Sequence, residues 1–195
     1  MNRFNINKVL ICLLLIMTII RCKDKCPEFN NDILNWIPYM DNDTISFYKG
    51  DTLKKLVVTE NFVDHTDHVG GCTKCACSEI YAIVMVFDSI QINFSFNDSN
   101  NPMSSSIQTN GDYFSADTMI KSFDLNGKLY NDVIIYNCHT NGNSEYSITN
   151  KFNTIIISKA IGIIAIYIDS IIWILKDSSL KNKKISDTKY SSNGC

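Results

Sequence analysis

From Ser89 to Asn97 the chain alternates without a break. Ile90, Ile92, Phe94 and Phe96 occupy one set of positions, and Gln91, Asn93, Ser95 and Asn97 the other. Successive side chains of a strand point to opposite faces, so this is a strand with one apolar and one wet face. The same period recurs elsewhere. "DTISFY" from Asp43 and "LKKLVVTENFV" from Leu53 read as two strands joined through "KGD", with Gly50 at the turn. "EIYAIVMVFD" from Glu79 is apolar on both faces, which places it centrally in a sheet or under a second layer. "DTMIKSFDLNGKLYNDVIIYNC" from Asp117 gives two strands hinged at Asn126-Gly127, a dipeptide suited to tight hairpin turns. "FNTIIISKAIGIIAIYIDSIIWIL" from Phe152 gives three strands, divided at Gly162 and at Asp169-Ser170. Helical period is scarce. One short helix is expected from Pro27 to Asn35, with Pro27 in its first turn and Trp36 and Tyr39 packed on the sheet edge. The pattern predicts an all-β fold, a single antiparallel sheet or a two-layer β-sandwich of about eight strands. A signal helix would precede it.

Asp followed by Ser or Thr and then an aliphatic residue recurs at Asp43-Thr44-Ile45, Asp51-Thr52-Leu53, Asp88-Ser89-Ile90, Asp117-Thr118-Met119 and Asp169-Ser170-Ile171. Turn chemistry accounts for the repeat. An Asp side chain bonds nearby backbone in a turn, and the aliphatic residue opens a strand. The same tripeptides resemble the acceptor motif of a general bacterial O-glycosylation system for exported proteins. That resemblance makes Thr44, Thr52, Ser89, Thr118 and Ser170 candidate modification sites.

The first residues, MNRFNINK, carry only Arg3 and Lys8 as charges. Val9 to Ile20 is apolar on every side. A basic start followed by a short apolar run is a secretory signal peptide, too short to be a membrane-spanning helix of about 20 residues. The stretch IIRC, Ile19 to Cys22, resembles the lipobox of bacterial lipoproteins, with Ile19 where Leu is usual and Arg21 where a small residue is usual. Lys23, Asp24 and Lys25 resemble the export tag of surface lipoproteins in some Gram-negative bacteria. "GKLYNDVIIY" and "ISKAIGIIAIYIDSIIWIL" resemble the C-terminal part of small bacterial lipoproteins of unknown function. The resemblance implies an antiparallel β-rich fold and no particular activity. It also implies lipidation at Cys22, with the acyl chains as palmitate-like membrane anchors; two or more such chains hold stably. The expected organisation is a signal peptide over 1–21, a lipid-anchored polar leash over 22–31, a β domain over 32–177 and a mobile polar tail over 178–195. The expected location is the cell envelope, tethered to the outer membrane, with the periplasmic and the surface side both open.

Removing the leader leaves roughly 174 residues, enough for one core. A net charge of −2 and no basic patch outside the tail argue against a nucleic-acid partner. A protein, glycan or lipid ligand is left open.

Candidate chemistry is confined to "HTDHVGGCTKCAC", His65 to Cys77. His65, His68, Cys72, Cys75 and Cys77 form one candidate zinc set, since zinc takes four N or S ligands and C-x-x-C is a common half-site. An oxidising compartment favours disulfides instead, with Cys26, Cys72, Cys75, Cys77 and Cys138 as candidates. Pairings of Cys26 with Cys72 or Cys77, and of Cys75 with Cys138, are the expected ones. A redox role for C-x-x-C would need the motif to open a helix. Phosphate loops, G-x-S-x-G and H-E-x-x-H do not occur. His139 follows Cys138, but neighbours on a strand face opposite ways and do not share a proton easily. The reading is therefore an exported, membrane-anchored binding or structural module without enzymatic activity and without a cofactor. The alternative is a zinc-binding or thiol-redox protein built on the His65–Cys77 cluster.

Overall fold

The structure, a computed structural model, describes residues 30–68, 76–97, 101–109, 112–139, 152–176 and 189–191. The backbone divides into two units. Of the first, Met1–Pro27 with Asp67–Cys77, only strand ends are described. The second, Glu28–Thr66 with Ser78–Cys195, carries the sheet.

Its elements are α1 (Asn31–Leu34), β1 (Thr44–Lys49), β2 (Thr52–His68), β3 (Ala76–Phe87), β4 (Ile90–Phe96), a 3-10 turn (Pro102–Ser104), β5 (Ser105–Gln108), β6 (Tyr113–Leu125), β7 (Lys128–His139), β8 (Phe152–Ser158), β9 (Gly162–Ile168), β10 (Ile171–Leu175) and β11 (Lys189–Ser191). Each strand from β1 to β10 pairs with the next in sequence. β10 then pairs with β1 through Phe47↔Leu175 and Tyr48↔Ile174, so ten antiparallel strands close into a barrel. The β1–β2 ladder ends at Thr44↔Val57. Beyond it β11 lies parallel on β2, from Lys189↔Phe62 to Ser191↔Asp64.

The all-β, single-sheet expectation holds. The strand number is corrected from about eight to ten in the ring. β5 is one addition; its "SSIQ" holds a single aliphatic residue, Ile107, too little to register as alternation. β11 is another, within the polar stretch expected as tail.

The turns explain the meander. Asp88-Ser89, Asn126-Gly127 and Asp169-Ser170 all have positive φ at both central positions (49° and 70°, 55° and 77°, 48° and 67°). Two such residues make the type I′ hairpin, whose twist matches that of the flanking strands. Asp124 Oδ1 accepts from the Gly127 N–H at 2.9 Å and holds one of these turns. Gly50 (φ 55°) takes the left-handed position between β1 and β2.

Alternation sorts the faces. On β4, Ile92, Phe94 and Phe96 are buried inside, while Gln91, Asn93 and Ser95 face out. That is the reverse of a lipid-spanning barrel, whose apolar residues face outward. No helix of the described residues is long and apolar enough to cross a membrane. Ten strands enclose a wider bore than eight, and aromatic side chains take up the width. Phe47, Phe87, Phe94, Phe96, Phe114, Phe152, Tyr81 and Tyr136 are almost wholly buried. Their rings meet edge to face: Phe94–Phe96 at 4.7 Å, Phe94–Tyr136 at 5.6 Å and Phe47–Phe87 at 5.7 Å. Such pairs add about 0.5–1.5 kcal/mol beyond their buried area. The Tyr136 hydroxyl does not go unsatisfied, since it bonds Ser105 Oγ at 2.5 Å.

Residues 30–43 plug one end. Ile33, Leu34, Trp36, Ile37 and Tyr39 are all at most 3% exposed, so the expected edge packing of Trp36 and Tyr39 is in fact full burial. Asn61 Nδ2 of β2 donates to the Tyr39 carbonyl at 2.5 Å, and the Tyr81 hydroxyl of β3 donates to the Ile37 carbonyl at 3.3 Å. The Ala160 N–H donates to the Asn35 carbonyl at 2.6 Å, and the Ile163 N–H to the Tyr39 hydroxyl at 2.7 Å. The described helix is shorter than expected. It is capped by the Asn30 side chain, which accepts from the Asp32 N–H at 3.0 Å. An Asx cap satisfies a donor that a proline start would leave open. Pro27 lies outside the described residues.

Candidate functional site

The plugged end carries a cleft of about 170 Å³. Asn30, Asp32, Ile33 and Trp36 form one wall, and Pro102, Met119, Lys121, Asp132 and Lys159 the rest. Two ion pairs border it. Lys121 Nζ lies 3.1 Å from Asp132 Oδ1, and Lys159 Nζ lies 3.5 Å from Asp32 Oδ2. Between them the exposed Met119 lies against the edges of the buried Ile33 and Trp36. Asp132 has φ 48° inside β7, a conformation Asp tolerates better than most residues. Its carbonyl accepts from the Lys159 N–H at 2.9 Å, so one residue ties both flanking strands to the cleft wall. Sequence reasoning missed this cleft, because its residues come from four separate segments and none carries a motif.

At the opposite end lie the β1–β2, β3–β4 and β9–β10 turns, as the ladder registers require. Lys54 pairs with Phe47 across β1–β2 and so points inward at this rim. Its ammonium stands 4.8 Å from the Trp173 ring centre and 5.9 Å from that of Phe87, and it forms an ion pair with Asp88. The aromatic faces attract the cation, which is how a lysine is tolerated on the inner face.

A polar network covers the outer wall where β6 bulges between Ala116 and Thr118. Asn137 Nδ2 donates to Asp117 Oδ2 at 2.8 Å, and Thr154 Oγ1 donates to Asn137 Oδ1 at 2.9 Å. His139 Nε2 lies 3.2 Å from Asp117 Oδ1 and 2.9 Å from Ser115 Oγ. The Asn137 hydrogen bond, aided by His139 and Ser115 against partial desolvation, holds the Asp117 carboxyl below the usual carboxylate range. Ser, His and Asp meet here, but both partners sit on the same ring nitrogen. A nucleophile relay needs the serine on one nitrogen and the carboxylate on the other. This network orients side chains and does not relay a proton. Cys138 pairs with Phe114 and His139 with Tyr113 in the β6–β7 register, the opposite-face arrangement expected.

The remaining sequence candidates divide by position. The backbones of His65 and His68 lie in β2 and that of Cys77 in β3. Cys22, Cys26, Cys72 and Cys75 lie outside the described residues, and with them the lipidation site and the expected disulfide pairings. The described elements on either side of them, β2 and β3, are strands. Thr44, Thr52, Ser89, Thr118 and Ser170 are all exposed. Asp88-Ser89 and Asp169-Ser170 are turn centres, Asp51-Thr52 closes the β1–β2 turn, and Asp117-Thr118 sits at the bulge. Comparison with family models, curated proteins and solved structures returns no match.

Proposed function

We propose that the chain is exported, cut before Cys22 and held by acyl chains at the outer membrane, where the barrel serves as a binding or structural module at the cell surface. The observation that carries this reading is the sequence from Arg3 to Cys22, a basic start and an apolar run that ends in a lipobox-like IIRC. Seven residues, and so 8 Cα–Cα steps, separate Cys22 from Asn30, whose side chain caps α1. That length spans about 29 Å at most when fully extended. The plug fixes the chain to one end of the barrel immediately afterwards. A lipid on Cys22 would therefore keep Asn30 within that distance of the bilayer. Thr52, Ser89 and Ser170 lie on the Lys54 rim, and Thr44 and Thr118 elsewhere on the exposed surface. On this reading they are the hydroxyls open to O-glycosylation.

Fractionation tests the anchor. The wild-type chain is expected to sediment with membranes and to be released only by detergent. Cys22→Ser is expected in the soluble extracytoplasmic fraction with its fold intact. Equal membrane retention of both contradicts the proposal.

A further inference from the structure

We propose that the cleft at the plugged end is a binding site for a zwitterionic phospholipid headgroup, one bearing a phosphate and an amine. Only the source of the ligand rests on the envelope reading; the site itself rests on four features. Its two ion pairs present both signs of charge around one recess, Lys121 and Lys159 for an anion and Asp32 and Asp132 for a cation. Each pair is partly exposed, so its members can exchange partners without exposing a buried charge. Met119, which is exposed, supplies most of the apolar surface that the carbon atoms between phosphate and amine would cover. The volume is about 170 Å³. That suits a headgroup and falls short of the roughly 300–1,000 Å³ of sites that enclose larger organic ligands. The fourth feature is position. Asn30, the first described residue after Cys22, lines the cleft. With Cys22 acylated, the recess sits within leash length of the headgroup layer.

Titration calorimetry on the purified full chain is the test, with O-phosphoethanolamine, phosphocholine, inorganic phosphate and ethanolamine as separate probes. Saturable binding is expected for the first two and at least tenfold weaker binding for the last two. Lys121→Gln with Lys159→Gln is expected to weaken the phosphoamines at least tenfold. Asp32→Asn with Asp132→Asn should do the same, and Asn keeps the tolerance of Asp for positive φ at position 132. Circular dichroism checks that both double variants fold. Inorganic phosphate binding as well as phosphoethanolamine, or either double variant binding like wild type, overturns the proposal. Sedimentation of Cys22→Ser with phosphatidylethanolamine vesicles but not with phosphatidylglycerol vesicles is the expected second result. Binding to the soluble probes without binding to those vesicles overturns the lipid source. Because Cys22→Ser removes the anchor and leaves the cleft, headgroup binding in a chain that fails fractionation sinks the anchor alone. A membrane-held chain without headgroup binding sinks this inference alone.

Discussion

Gly162 and Tyr39 show how much of the barrel depends on single residues. Gly162 has φ 86°, and a Cβ there would run into the Tyr39 ring. The glycine lets the plug come close enough for the Tyr39 hydroxyl to accept from Ile163 N–H. Gly162→Ala meets both the backbone strain and the clash, and is expected to cost about 2–4 kcal/mol in urea unfolding. Tyr39→Phe leaves the Ile163 N–H unsatisfied in a buried site and should cost about 1–3 kcal/mol. Burial pushes the phenols of Tyr39, Tyr81 and Tyr136 above their ordinary range. A raised folded pKa means stability that is complete below the unfolded value, about 10, and lost as pH rises beyond it. Unfolding midpoints should therefore be flat from pH 7 to 9. Above about pH 10 they should fall by about 1.4 kcal/mol per unit for each tyrosine that stays neutral only when folded. A flat profile to pH 12 contradicts that burial. Asp117 runs the other way. Its lowered pKa adds stability above about pH 4 that is lost as pH falls further, and Asp117→Asn should remove that part of the acid sensitivity.

Among the elements, strands with one wet face were legible. β4 and the β6–β7 hairpin follow from alternation and from Asn126-Gly127. β5 was not, because four residues with one aliphatic side chain carry too little period. Lys54 on the inner face breaks the apolar rule, and only the rings of Trp173 and Phe87 explain it. Phe87 is the joint of the closing seam. It meets Phe47 of β1 at 5.7 Å, and Phe152 of β8 and Trp173 of β10 at 6.3 Å each. Phe87→Ala is expected to cost about 3–5 kcal/mol. Hydrogen exchange should then rise first along β1 and β10, where the ladder is short. Loss spread evenly around the ring contradicts a seam at this joint. The cleft was illegible for a related reason: Asp32, Lys121, Asp132 and Lys159 converge only once the plug is seated.

For the molecule as a whole, closure was the least readable feature. Alternation tells which face of a strand is apolar, but whether the last strand returns to the first depends on twist and register accumulated over the whole sheet. The proposal of export, by contrast, rests on Arg3 to Cys22 and needs no fold to be made. The proposed anchor joins the two, since acyl groups on Cys22 would tether an aromatic-filled barrel to a membrane. Intact mass of the purified mature protein tests that account most directly. It should show a chain beginning at Cys22 and heavier than its residues by the mass of attached acyl groups, with any glycan as a further increment. A mass that retains Met1 and carries no acyl group contradicts it.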